Sequence, residues 1–386
     1  GGRGGGGAGG ATGWLRADDL MLHLQPAVEG SAIVEEGLNE ADADLADLLH
    51  ESTSRNYWAS PYLRGGVWAP QVVIPSDMHP LPAALARKHA EVHATMGLLP
   101  EISRAYVTFD NKLYLWHFDH AEDFTAYERL DQVILSVGLV MPTPVVQGYI
   151  EYLLVVATTV EVVLLGVSFE REDDPHSRMT LTPLRLTFPT DNVSMLAVAG
   201  TSAGRIFMAG GDGCLYELTY EDDRGGWRDM LGWSRGAKCR KFNHTTTHIG
   251  RVARALVGSL LANPGQPLIA VEVDHYRNLM YTLAQDGTIE LYDLGEDGAD
   301  LVRRATVTLA DMQTGERGVG HKLRPPVAIA VITPTESERL HLVAVSDLGA
   351  RLYFTTMRRD DYRKSGSSAV PFGVALNLWF SRLPPE

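Results

Sequence analysis

A β-hairpin recurs five times along the chain, and this repeat constrains the fold more than any other feature. Each hairpin joins two short runs rich in aromatic and β-branched residues through a turn of small or polar residues. The turns centre on Asp110, Thr159, Asp212, Asp286 and Asp347. They lie about 50 to 75 residues apart, at or above the ~40–50 residues of a propeller blade. The spacing therefore predicts one small antiparallel sheet for each hairpin.

The strands that leave the five turns resemble one another, which indicates structural repeats. They are residues 112–118, 160–166, 213–220, 288–294 and 350–356. Apolar runs before the last four hairpins supply further strands, at residues 133–140, 194–199, 268–273 and 327–332. A four-stranded sheet cannot bury both of its faces alone, so the sheets are expected to stack radially around a channel. The sequence predicts an all-β fold, a β-propeller of the seven-bladed type that is incomplete here, in preference to a β-sandwich.

The residues before the first hairpin predict a separate N-terminal extension. Residues 1–13 are expected to be a disordered Gly-rich tail, and residues 14–100 an extension with short helices. Apolar spacing predicts helices over Asp42 to His50 and over Pro82 to Met96, with an isolated strand over Trp68 to Pro75. Residues 101–386 are then the propeller blades, interrupted by an amphipathic insertion at about 245–266.

Charge and composition argue against several classes of function. The formal net charge of -14 repels a polyanion, so direct nucleic-acid binding is not expected. Two cysteines, Cys214 and Cys239, are too few for a disulfide scaffold and are typical of a reducing compartment. The longest apolar run, Tyr152 to Val167, is shorter than the ~20 residues that span a bilayer and contains Glu161. We therefore expect two paired strands there, not a transmembrane helix.

Four segments carry a specific resemblance to a known family. They are Met96 to Trp116, which opens with Met-Gly-x-x-Pro-Glu-Ile, Gly204 to Tyr220, Cys239 to Thr246 and Arg277 to Gly298. Together they resemble the N-terminal propeller of the large inner-ring scaffold nucleoporins, the family of nucleoporin 155 and nucleoporin 170. The resemblance runs in the same order from about Asp42 to Pro385, and so covers most of the chain.

The resemblance implies a non-enzymatic scaffold subunit of the nuclear pore inner ring, located in the nucleus at the nuclear envelope. Such a subunit supports nucleocytoplasmic transport of protein and mRNA and contacts the pore membrane. Its implied partners are other inner-ring and linker nucleoporins, with multiple copies in a symmetric ring. In the family a long helical solenoid follows the propeller, so the chain is expected to be a fragment. The alternatives are an adaptor propeller of another membrane coat and, more distantly, a propeller hydrolase.

The insertion contains the main candidate site, an amphipathic segment from His248 to Ala262. In a helix, one continuous apolar stripe would comprise Ile249, Val252, Leu256, Val257, Leu260 and Leu261. Arg251 and Arg254 would lie on the opposite face, where each adds ~1 kcal/mol of attraction to anionic lipid. In the family, a propeller loop here resembles an amphipathic lipid-packing sensor, which lies in the membrane interface. The alternatives are packing of the stripe against the propeller, or disorder.

Motifs for catalysis and metal binding are weak. Gly200 to Gly204 matches the G-x-S-x-G pattern of hydrolases, but a strand follows Ser202 where that motif requires a helix. Three residues have a spacing that suits zinc: Cys239, His244 and His248. They lack a local fourth ligand, and Cys214 would have to reach them from an adjacent strand. We therefore expect no catalytic residue, no metal and no cofactor.

Overall fold

A computed structural model describes residues 44–51, 82–83, 85, 93–119, 123–144, 150–171, 177–222, 237–245, 265–314, 323–357, 373 and 375–382. The chain divides into two compact units, residues 1–51 and residues 52–386. In the first, helix α1 (Leu45–Glu51) confirms most of the predicted helix over Asp42 to His50. The Ala46 backbone N–H donates to Asp44 Oδ1 at 2.7 Å, so Asp44 caps the helix. The predicted tail over residues 1–13 and the strand over Trp68 to Pro75 lie outside the described residues.

The second unit contains twenty described strands in five antiparallel sheets, here called blades 1 to 5. Within every blade, strands adjacent in sequence are adjacent in the sheet. Their bounds are β1 (Ala94–Leu99), β2 (Arg104–Phe109), β3 (Lys112–His117) and β4 (Phe124–Tyr127) in blade 1; β5 (Ile134–Val140), β6 (Tyr152–Thr158), β7 (Glu161–Phe169) and β8 (Met179–Pro189) in blade 2; β9 (Met195–Gly200), β10 (Ile206–Gly210), β11 (Leu215–Asp222) and β12 (Ala237–Asn243) in blade 3; β13 (Leu268–Asp274), β14 (Leu279–Ala284), β15 (Ile289–Asp293) and β16 (Val302–Val307) in blade 4; and β17 (Pro326–Val331), β18 (Leu342–Ser346), β19 (Arg351–Thr355) and β20 (Asn377–Arg382) in blade 5. A 3₁₀ turn, Pro100–Ile102, follows β1, and helix α2 (Leu309–Thr314) follows β16. All five predicted hairpins are confirmed, each as the second and third strands of a blade.

The turns of blades 3, 4 and 5 share one geometry, which shows the repeat at the level of single residues. Gly213, Gly287 and Gly349 occupy the same place, with φ of +81°, +89° and +84°. Each donates its N–H to the carbonyl three residues earlier, at 2.9 to 3.0 Å. Glycine is favoured there because a Cβ strains the left-handed backbone. The turn residues that signalled repeats in the sequence are thus required by the backbone itself.

The predicted helix over Pro82 to Met96 is wrong at its end. Strand β1 begins at Ala94 and pairs in register with β2, from Ala94 opposite Phe109 to Leu99 opposite Arg104. Its Ala, Met and Leu residues have high helix propensity, but pairing with a neighbouring strand overrides so weak a preference. Blade 1 therefore begins before the predicted boundary at residue 101.

The five blades follow one another around an axis that is formed by their first strands. β1 contacts β5, β5 contacts β9, β9 contacts β13, and β13 contacts β17. Apolar clusters fill the spaces between successive blades, with residues from blades 1 and 2, 2 and 3, 3 and 4, and 4 and 5. This radial stacking of small sheets is the propeller arrangement, so the all-β propeller prediction is confirmed and a sandwich is excluded.

Blades 2 and 3 approach closely because glycines face valines. A Cβ placed on Gly138 of β5 would lie 2.7 Å from Val198 Cβ of β9. The reciprocal pair has the same geometry, since a Cβ on Gly200 of β9 would lie 2.5 Å from Val140 Cβ of β5. Neither glycine position has room for a side chain. At each of them the backbone of one first strand packs directly against a valine side chain of the other.

Arginines join the other described junctions. Arg277, between β13 and β14, forms an ion pair with fully buried Asp274 of its own blade, with Nη1 2.7 Å from Oδ2. It then donates to two carbonyls of blade 5, those of Ile332 (3.0 Å) and Ser337 (3.2 Å). One guanidinium thus holds a carboxylate in its own blade and the loop of the next.

An arginine at the start of β2 joins blade 1 to blade 2 in the same way. Arg104 is 1% exposed and forms an ion pair with Asp123, which lies just before β4 of the same blade. Its Nη2 also donates to the carbonyl of Ser177, in the connection between β7 and β8 of blade 2, at 2.9 Å. Burial lowers the pKa of Arg104, and Asp123 opposes that effect.

Candidate interaction sites

The predicted membrane segment lies outside the described residues, and so do its stripe and its two arginines: Ile249, Val252, Leu256, Val257, Leu260, Leu261, Arg251 and Arg254. The structure does describe both ends of the insertion. Thr245 Oγ1 accepts a hydrogen bond from the backbone N–H of Leu215, at 2.8 Å. On the other side, a Cβ on Gly213 would lie 2.7 Å from the carbonyl oxygen of Gln266. The chain therefore leaves blade 3 and returns to enter blade 4 beside the same β10–β11 turn.

Ser202 lies in a turn between two strands, as predicted from the sequence. The turn joins β9 to β10 and is closed by the Thr201 N–H, which donates to the Arg205 carbonyl at 2.9 Å. Gly204 adopts φ +81° and donates to the Thr201 carbonyl at 3.0 Å. A nucleophile elbow requires a strand followed by a helix. The G-x-S-x-G pattern here is explained by the turn alone.

The zinc candidate His244 is instead part of an ionic cluster. His244 Nε2 and Arg205 Nε each lie 2.7 Å from the carboxylate oxygens of Glu217. Burial by itself would raise the pKa of Glu217, but hydrogen bonds from His244 and Arg205 outweigh it and lower the pKa to about 2. Among the described residues no group of histidine, cysteine and acidic side chains is arranged to hold a metal ion.

Arg205 extends this cluster across the junction of blades 3 and 4. Its Nη1 donates to the carbonyls of Gly298 and Asp300, at 2.9 and 2.7 Å, in the connection between β15 and β16. Its guanidinium also lies 4.8 Å from the centre of the Phe207 ring, a favourable cation–π distance. The cluster therefore joins two blades, and its histidine precedes the insertion directly.

A cavity of about 270 Å³ lies on the axis, between the first strands of blades 1 to 4. Leu98, Val137, Val198 and Val271 are among the residues that line it, but most of the surface that faces the cavity is polar. The first strands are almost free of ionisable residues, because β1, β5, β9 and β17 contain none. The side chains of the first strands therefore contribute little charge to the cavity.

β13 contains two ionisable residues, Asp274, which is paired with Arg277, and Glu272, which lines the cavity. The carboxylate of Glu272 has no hydrogen-bond or salt-bridge partner among the described residues. Burial alone raises the pKa of Glu272 to about 7. The sequence held a signal for this site, since Glu272 is a lone charge within the apolar run Leu268 to Val273. The pattern of that run predicted only a strand, so Glu272 was not among the predicted site residues.

Comparison with known proteins identifies the family of this chain. The family model described as Nup133 N terminal like matches residues 69–378, which span all five blades up to the start of β20. The chain belongs to this nucleoporin family. In the solved complex of the Chaetomium thermophilum Nup170 N-terminal domain with Nup53, the matching chain is 28% identical, with a TM-score of 0.56. The match covers 77% of this chain and 40% of that chain.

Two relatives agree with this assignment. Nuclear pore complex protein Nup154 of Drosophila melanogaster is 33% identical over 301 residues, which cover 76% of this chain and 21% of the relative. Nucleoporin NUP170 of Chaetomium thermophilum is 28% identical over 378 residues, covering 94% of this chain and 26% of the relative. The chain thus spans about a quarter of these relatives or less. The resemblance to the N-terminal region of the nucleoporin 155 and 170 family is confirmed.

No helix within the described residues of this nucleoporin is long and apolar enough to cross a bilayer. The run from Tyr152 to Val167 forms β6 and most of β7, as predicted. The family to which the chain belongs consists of structural nucleoporins and not of enzymes.

Proposed function

We propose that the chain is the propeller region of a structural scaffold subunit of the nuclear pore inner ring, at the nuclear envelope. The observation that carries this proposal is the match to the Nup170 N-terminal domain, at 28% identity over 77% of the chain. A propeller whose blades are joined by arginine contacts is suited to such a role, because it presents a rigid surface built from many loops. In that position it supports nucleocytoplasmic transport of protein and mRNA.

Localisation separates this proposal from the adaptor of another membrane coat. A fluorescently tagged chain, expressed in cells at low level, is expected to collect at the nuclear rim and to overlap with a nuclear pore marker. The tag alone, expressed at the same level, is the control. Collection on cytoplasmic vesicles with no rim signal would favour the coat adaptor and contradict the proposal.

A linker nucleoporin is the partner that the comparison favours. The Nup170 N-terminal domain was solved in complex with Nup53, and we extend this partner class to the present chain. Purified Nup53-type protein is expected to bind the 386-residue chain in isothermal titration calorimetry. An unrelated propeller of similar charge is the control, and equal binding to both would show that the interaction is nonspecific.

Membrane contact by the insertion is a second part of the proposal. Its support is the apolar stripe from Ile249 to Leu261 and the anchoring of both ends beside one turn of blade 3. Because the insertion starts and ends beside one turn, its apolar residues can contact lipid while the strand pairing of blade 3 stays intact. One copy is expected to bind weakly, and many copies in a ring to bind well through effective concentration.

Charge substitutions on the stripe test this contact. The double variant Leu256→Asp, Leu260→Asp is expected to lose most binding to small, highly curved liposomes, because each charge costs several kcal/mol to bury in lipid. Its melting temperature is expected to stay unchanged. The matched control, Gly258→Asp with Ala262→Asp, has the same four-residue spacing and places the charges on the opposite face. Retained lipid binding with a lower melting temperature would show that the stripe packs against the propeller.

A further inference from the structure

We propose that one exposed face of β12 binds the anionic headgroups of a membrane, with Arg240 as the ionic contact and Phe242 as the apolar contact. The inference rests on the proposed membrane contact of the insertion, which begins directly after this strand. It adds the class of lipid and a described part of the propeller to that contact. β12 is the outermost strand of blade 3, so the contact orients the outer edge of this blade towards the lipid.

The charge of the chain reverses locally around β12. The whole protein has a formal net charge of -14, yet residues 230–271 contain no aspartate and no glutamate. The same stretch contains six basic residues, of which three lie in β12: Arg235, Lys238, Arg240, Lys241, Arg251 and Arg254. Because salt screens charges beyond about 10 Å, a surface responds to the charges beside it more than to the net charge of the whole chain. A local excess of positive charge therefore suits an anionic lipid surface.

Arg240 is a basic side chain of β12 that can bind an external anion. It is exposed, lies opposite Thr219 in the register with β11, and forms no ion pair within the part of the chain that the structure describes. Lys241, on the other face of the strand, differs in this respect. Its Nζ lies 2.6 Å from Asp191 Oδ2 and donates to the Pro189 carbonyl at 2.9 Å. The guanidinium of Arg240 is thus the better placed of the two to bind a lipid headgroup.

Phe242 adds an apolar contact beside Arg240. Alternate residues of a strand point to one side, so Phe242 and Arg240 share a face of β12. Phe242 is 44% exposed, although phenylalanine is among the residues that proteins bury most often. Segments that lie in the membrane interface bury such apolar side chains at the boundary of headgroups and acyl chains, while their basic residues stay at the level of the headgroups. The pair therefore has the chemistry of an interfacial contact.

The position of β12 favours lipid over other polyanions. The strand ends at Asn243, and the insertion follows, with Thr245 Oγ1 accepting from the Leu215 N–H at 2.8 Å. At about 3.3 Å per residue, Phe242 lies within about 10 Å of the point where the insertion leaves the blade. An apolar stripe beside a basic strand suits a membrane, because a nucleic acid offers no apolar phase in which the stripe could be buried.

Binding to vesicles of two compositions tests the inference. The 386-residue chain is mixed with small, highly curved vesicles of phosphatidylcholine, with or without phosphatidylserine, and the bound fraction is measured by flotation. Arg240→Gln is expected to weaken binding to the phosphatidylserine vesicles about fivefold, the factor for one basic residue at an anionic surface. Its binding to pure phosphatidylcholine is expected to stay unchanged. Phe242→Ser is expected to weaken binding to both kinds of vesicle, because it removes an apolar contact.

The matched control is Arg129→Gln, which removes the same charge from an exposed position after β4, the outermost strand of blade 1. It is expected to leave binding to both kinds of vesicle unchanged. An equal loss from the two arginine variants would show that only the net charge matters, and would overturn the inference. A loss for Arg240→Gln that persists undiminished in 1 M salt would do the same, because charges are screened there within about 3 Å.

The stripe variant Leu256→Asp, Leu260→Asp separates this inference from the proposed membrane contact. If it loses vesicle binding while Arg240→Gln and Phe242→Ser bind normally, the insertion contacts lipid and β12 does not, so this inference alone is wrong. If the unaltered chain binds neither kind of vesicle, both are wrong. A single-stranded RNA that binds more tightly than phosphatidylserine vesicles, and is lost in Arg240→Gln, would assign the strand to nucleic acid and overturn the inference.

Discussion

Blade 3 meets its two neighbours in different ways. Towards blade 2, Gly138 and Gly200 let first strands approach Val198 and Val140 with no room for a further side chain. Towards blade 4, Arg205 binds the carboxylate of its own blade and two carbonyls of the next. The first junction is determined by shape near the axis, the second largely by charge and hydrogen bonding.

The two kinds of junction fail for different reasons. A shape junction is sensitive to added volume and indifferent to pH, because no ionised group contributes to it. The stability of a charge junction depends less on volume. It changes with pH, because the pairing requires that the acid be ionised. The arginine recurs at the junctions of blades 1 and 2 and of blades 4 and 5, so charge is the more frequent solution in the described blades.

The largest expected effect is that of Arg277→Met. This change leaves Asp274, which is fully buried, without its counter-ion and removes the donors to two carbonyls of blade 5. Breaking a buried pair by removing one partner costs about 3–5 kcal/mol. The measurement is the free energy of unfolding in urea. Arg303→Met is the control, because Arg303 is 60% exposed in its pair with Glu290 and such pairs contribute under about 1 kcal/mol. Similar losses in both variants would contradict the assignment.

The shape junction is tested by Gly200→Ala. The new methyl would lie 2.5 Å from Val140 Cβ, and overpacking of this kind costs about 1–3 kcal/mol in the free energy of unfolding. In a Val140→Gly background the same change is expected to cost less, because Val140→Gly removes the Cβ that the new methyl would meet. At Gly211 an added Cβ meets nothing nearer than 3.4 Å, so Gly211→Ala is the control. An equal loss in the Val140→Gly background would show that the contact is not the cause.

Much of the fold could be predicted from local sequence, and the junctions could not. The turn at Asp286-Gly287 and its flanking strands follow from residues that are neighbours in the chain. The arginine contacts join residues far apart in sequence, such as Arg205 and Gly298, and no local pattern announces them. Asp274 and Arg277 are three apart, which signals an ion pair but not the blade it joins. Strand β1 was missed because its helix-favouring residues form a strand only through β2.

A smaller effect is expected from acid at the junction of blades 3 and 4. The pKa of Glu217 is lowered to about 2, so its contribution is present above the ordinary value near 4.5 and is lost as pH falls towards 2. After allowance for solvent screening we expect about 2 kcal/mol. The measurement is the difference in free energy of unfolding between the protein and Glu217→Gln, followed from pH 6 to pH 2. A difference that does not shrink in acid would contradict a charge junction.

The smallest effect has the opposite sign and concerns a carboxylate that belongs to no junction. Burial raises the pKa of Glu272 to about 7, so the unfolded chain ionises it at lower pH than the folded chain does. Stability therefore falls as pH rises from about 4.5 to about 7 and stays lower above that. Glu272→Gln is expected to stabilise the chain by about 1 kcal/mol at pH 8, with no gain below pH 4. The measurement is urea unfolding of both proteins at pH 8 and pH 4. A destabilised variant at pH 8 would mean that the carboxylate has a cationic partner within the chain, and would contradict the prediction.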